Sequence, residues 1–185
     1  MGDLLKFESL ECLLKEHLAF AKKNFEETGE YTATVIGYTT NNTRIMMPLI
    51  FNSDHEKEMI LQMMTTVFAA FNVKRYTVAN EGYSLRGNSI EEYNKLVKEG
   101  KRIKDHPDAI EVLMCTAISY NDTMMHIHEI TSDKKLVAVD ISGEMKCSGR
   151  FAELLPDKNI PSHLRALLRK ELEEKGFPIQ EETLH

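Results

Sequence analysis

The sequence predicts a single α+β domain: an antiparallel sheet of about six strands with helices mainly on one face. Three observations carry that reading. The apolar spacing alternates between the three-to-four-residue period of helices and the two-residue period of strands. Several strand-like runs are joined by connections so short that they can link only antiparallel neighbours. Across 185 residues there is no repeat, no low-complexity linker and no second core pattern.

The first element is a helix over residues 3–27. Phe7, Leu10, Leu14, Leu18, Ala21 and Phe25 form its stripe, Asp3 is placed to cap its start, and Thr28-Gly29 to stop it. Tyr31 to Thr40 and Arg44 to Phe51 read as a hairpin around Asn41-Asn42-Thr43. Ser53 with Glu56 is a capping box opening a helix from Asp54 to Phe71, whose three methionines, Met59, Met63 and Met64, suit irregular gaps in a core. Lys74 to Tyr83 is the next strand. Residues 84–109 are irregular, with a short helix announced by Ser89 and Glu92. A three-strand meander follows, from Ala109 to Ser119, up to Thr131, and from Lys135 to Ile141, turning at Asn121-Asp122 and Ser132-Asp133. Residues 142–160 read as irregular. Ser162 is placed to cap a last helix with the stripe Leu164, Leu167, Leu168 and Leu172, stopped by Gly176. The domain is read as residues 1–176, with 177–185 a flexible tail.

Composition narrows the function. Hydrophobic residues are 42% and charged residues 28%, enough apolar material for a real core. The net charge of −6 offers no general basic surface, so neither nucleic acid nor anionic membrane is an expected partner. The cluster Lys98, Lys101, Arg102 and Lys104 lacks interleaved aromatics and reads as a solvated loop. Three cysteines fit a reducing compartment better than a disulfide framework. Met1 to Phe7 has no basic region followed by an apolar stretch, and no apolar run reaches the roughly 20 residues of a membrane span. The expected location is the cytoplasm.

Motifs for chemistry are sparse. The Walker lysine loop, the dinucleotide glycine fingerprint and the nucleophile elbow are all missing, so no cofactor is expected. On a strand, His126 and His128 point the same way, and Asp140 or His106 would be the third ligand of a metal site. The pair is a weak metal candidate, because two histidines on a solvated strand face need no metal. Cys115 reads as a small buried hydrophobe, and Cys147 lies in a polar stretch without a neighbouring base. Glu81 closes one strand and Glu111 opens another, with Arg86, Lys104 and His106 on the segment between. Such a group either pins the insert by ion pairing or, with Glu81, His106 and Glu111 as catalytic candidates, performs acid–base work. Pinning is the commoner use.

Two segments carry a resemblance. Val78-Ala79-Asn80-Glu81-Gly82-Tyr83 resembles a strand followed by Glu-Ala-Trp, and Asp105 to Leu113 resembles a Pro-Asp-x-x-Glu-Val-Leu motif. In this order, with an irregular insert between, the two are similar to a family of small uncharacterised prokaryotic and phage proteins. The likeness covers roughly residues 45–120, with Tyr83 where Trp is usual and Ile110 where Arg is frequent. It implies a fold and an origin, and no activity.

The function expected from these readings is that of a cytoplasmic, non-enzymatic interaction or regulatory protein whose partner is a protein, a homodimer included. The alternative is a small hydrolase using Glu81, Glu111 and His106, or a metal on His126 and His128.

Overall fold

The computed structural model describes residues 9–40, 43–85, 94–96, 98–139, 150–176 and 181–183. The elements run α1 (Leu10–Thr28), β1 (Thr34–Thr39), β2 (Thr43–Pro48), α2 (Asp54–Ala70), β3 (Val73–Leu85), β4 (Ala109–Ser119), β5 (Thr123–Ile130), β6 (Leu136–Val139), α3 (Ser162–Glu174) and β7 (Glu181–Thr183). The strands form one sheet in the order β6-β5-β4-β3-β1-β2-β7. Every neighbouring pair is antiparallel. The α+β class holds. Residues 181–183, read from sequence as tail, pair with β2 at the sheet edge, where backbone groups of β2 are open to a further strand.

Local signals explain the ends of the elements. The chain at Ser9 is extended, and its Oγ accepts the N–H of Cys12 at 3.1 Å, so Ser9 caps α1, whose first residue is Leu10. Residues 1–8, with Asp3 and Phe7, lie outside the described residues. Gly29 ends α1 in the left-handed conformation, φ +77°, its N–H bonding to Phe25 O at 2.7 Å. Half of the capping box of α2 forms as read: Ser53 Oγ accepts Glu56 N–H at 3.1 Å, while Glu56 Oε2 accepts the N–H of Asn52, one residue before the cap, at 2.6 Å. At α3 the cap residue is Pro161, and Ser162 is the first residue of the helix. Pro suits that boundary because it has no N–H to satisfy. Of the short helix expected after Ser89, residues 94–96 and 98 are helical, and Ser89, Ile90, Glu92, Tyr93 and Val97 lie outside the described residues.

Strand alternation then divides the core in two. Val35, Ile45, Met47, Tyr76, Val78 and Ile118 face α2, whose Leu61, Met64, Val67 and Phe68 cover them. Leu168 and Leu172 of α3 and Leu154 join the same core. The opposite residues of β3 and β4, Ala79, Leu113, Cys115 and Ala117, meet Leu14, Leu18, Ala21 and Phe25 of α1. Two helices therefore take one face and α1 alone takes the other. β1 is buried along its whole length, as a strand covered on both faces must be. The connection β2–α2–β3 skips over β1, which makes β2 and β3 parallel and carries α2 across the face it covers.

Candidate functional site

The register of β3 on β4 fixes where the two carboxylates stand. Tyr83 pairs with Glu111 and Glu81 with Leu113, so Glu81 and Glu111 are diagonal neighbours on the face covered by α1. They are close enough that the charge of Glu111 helps raise the pKa of Glu81. The largest cause of that rise is burial, and the N–H of Tyr31, which bonds to Glu81 Oε1, opposes it. Glu111 lies 3.9 Å from Lys134 Nζ, on the turn between β5 and β6. The neighbourhood expected from sequence is present, but its partners differ. Among the described residues the partners are a backbone amide and Lys134, and not the expected Lys104 or His106. Arg86 lies outside the described residues. His106 Nδ1 instead accepts the N–H of Asp108 at 3.2 Å. Among its described partners, Glu81 thus fastens the start of the segment that runs from α1 into β1.

His126 and His128 do share a face, but only the His128 end of it is covered. It is the face under α1. His128 is buried, His126 exposed. Lys22 Nζ sits 3.1 Å from His128 Nε2. An ammonium group can only donate, so Nε2 accepts and the ring proton belongs on Nδ1. That Nδ1 is buried without a hydrogen-bond partner. Burial first, then the charges of Lys22 and His126, depress the pKa of His128. The Lys22 ammonium thus sits at the lone pair of Nε2. Among the described residues, no group of three His, Cys, Asp or Glu side chains is arranged to hold a metal ion. Asp140, the third ligand weighed from sequence, lies outside the described residues.

Cys115 is fully buried and its Sγ lies 3.8 Å from Leu14 O. Burial pushes the thiol pKa up to about 12, which removes the thiolate a nucleophile requires. Cys147 lies outside the described residues. Within the basic cluster of the insert, Lys101 pairs with Glu99 at 2.7 Å and Arg102 with Asp105 at 2.9 Å. Adjacent acids thereby neutralise part of that cluster.

Sequence reasoning missed a polar group beneath α1. His17 is 1% exposed, with Nδ1 2.7 Å from Thr77 Oγ1 and Nε2 3.2 Å from the Tyr31 hydroxyl. Its place was legible only in part. It falls on the α1 stripe between Leu14 and Leu18, yet nothing local names Thr77, sixty residues away. Burial drives the His17 pKa down to about 4, so the ring is neutral at physiological pH.

The leucine stripe of α3 divides. Leu172 is buried and Leu168 partly so, while Leu164 is 42% and Leu167 60% exposed. Three residues apart on a helix, the two exposed leucines are surface neighbours. Among the described residues no helix is long and apolar enough to cross a membrane. Comparison with protein-family models, with curated proteins and with solved structures finds no match.

Proposed function

We propose that this chain is a non-enzymatic cytoplasmic protein, of prokaryotic or phage origin, that acts through contact with another protein. The observation that carries the reading is the paired exposure of Leu164 and Leu167 on α3, a helix held to the domain by its other leucines. A helix docked through one edge and apolar on another offers a rigid groove-seeking surface. The candidate catalytic groups support the same reading. Glu81 is engaged by a backbone amide, Glu111 neighbours Lys134, and the Cys115 thiol is buried. The origin rests on the paired motifs around Glu81 and Glu111, whose strands lie side by side as β3 and β4.

The test compares wild type with the double variant Leu164→Glu, Leu167→Glu. Sedimentation reads self-association, and quantitative co-purification from the native host reads other partners. The reading requires that the variant fold normally and lose a complex that wild type forms. Identical sedimentation and an identical set of co-purified proteins would reject it.

A further inference from the structure

A cleft of ≈ 400 Å³ lies between α3, the residues Thr39, Thr40 and Thr43, and the turn between α2 and β3. We propose that this cleft binds a small phosphomonoester, its phosphoryl group held by Arg165 and Arg169. The described lining contains two arginines and no carboxylate, in a chain whose net charge is −6. Thr40, Thr43, Asn72 and Ser162 add hydroxyl and amide groups. A phosphate dianion presents several acceptor oxygens at once, and planar guanidinium groups match them with paired donors.

Arg169 is already held in place. Its Nε donates to Ala70 O at 2.9 Å, and its guanidinium carbon lies 4.7 Å from the centre of the Phe71 ring. Those contacts fix the side chain while leaving its two terminal amino groups as donors, so little rotamer entropy is lost on binding. Arg165 forms no ion pair among the described residues. The start of α3 adds to the same field. Its cap is Pro161, which makes no side-chain cap bond, and its first turn carries no acidic residue. The cleft is larger than an inorganic phosphate ion, and its polar walls suit a hydroxylated group esterified to the phosphate.

The experiment titrates the full chain with ribose 5-phosphate, ribose and inorganic phosphate, read by amide NMR shifts and calorimetry. Ribose 5-phosphate should shift the amides of Thr43, Asn72 and Arg165, ribose should leave them in place, and inorganic phosphate should bind more weakly. Arg165→Gln should retain the wild-type melting curve and weaken ribose 5-phosphate binding by about tenfold, the loss of one charge-assisted contact. Arg169→Lys, which keeps the charge and loses the fork, should also weaken it. Absence of binding at tens of millimolar, or unchanged affinity in Arg165→Gln, would overturn the proposal. Inorganic phosphate binding as tightly as the ester would overturn the ester assignment.

Discussion

His17 Nδ1 lies 2.7 Å from Thr77 Oγ1 in the closed layer between α1 and the sheet, and the Tyr31 hydroxyl closes the other side of the ring at 3.2 Å. One helix, the central strand β3 and the segment entering β1 therefore meet at a single imidazole. Buried polar groups of this kind specify how elements dock, because any other placement would leave them unsatisfied.

The depressed pKa of His17 makes stability depend on pH. In the unfolded chain the ring takes a proton near 6.5, whereas in the folded chain it does so at about 4. Between these values the unfolded state binds more protons, so stability is full above pH 6.5 and falls as the pH drops toward 4. The loss is expected to reach about 3 kcal/mol. Urea unfolding between pH 4 and pH 7 measures it, and His17→Gln should flatten most of that slope. An equal slope in the variant would place the pH dependence elsewhere.

Glu81 separates a hydrogen-bond role from a charge role. Burial raises its pKa, so folding disfavours its ionised form relative to the unfolded chain, yet its carboxyl oxygen holds the Tyr31 amide. Glu81→Gln keeps an acceptor and removes the charge, and should change stability by less than about 0.5 kcal/mol or raise it. Glu81→Ala strands the amide and should cost about 1–2 kcal/mol. Denaturant midpoints of the two variants decide; a Gln variant as unstable as the Ala variant would show that the charge matters more than the acceptor.

The divided stripe of α3 predicts unequal leucines. Leu172→Ala opens a cavity in the core beside α2 and should cost about 2–4 kcal/mol. Leu167→Ala, at an exposed position, should stay within about 0.5 kcal/mol. Thermal melts of both proteins check the contrast. Equal losses would mean that the exposed edge of α3 is packed in solution.

Gly37 should resist even a methyl group. A Cβ there would meet Phe68 Cε1 at 2.9 Å and Val73 Cγ2 at 3.1 Å, where α2 presses on β1. Both neighbours sit in a close-packed core, so Gly37→Ala should destabilise by about 1–3 kcal/mol through overpacking. A wild-type melting temperature would show that the α2 layer yields more easily than its packing suggests.

The sequence by itself determined the elements and their class. Ser53 and Glu56 start α2, Gly29 ends α1, and short polar turns join β4 to β5 and β5 to β6. These signals act within a few residues, so they can be read without knowing the fold. The alternation of Thr77, Ala79 and Glu81 likewise placed them on one face, and the order of β3 and β4 put Glu81 near Glu111. Only the tertiary structure decided what each face meets. Whether His128 lies in water or under Lys22, whether Leu167 is core or surface, and whether Tyr31 or His106 answers Glu81 depend on packing across long separations in the chain. Local pattern fixes the direction in which a side chain points, but the burial and charge it finds there come from elements that assemble around it.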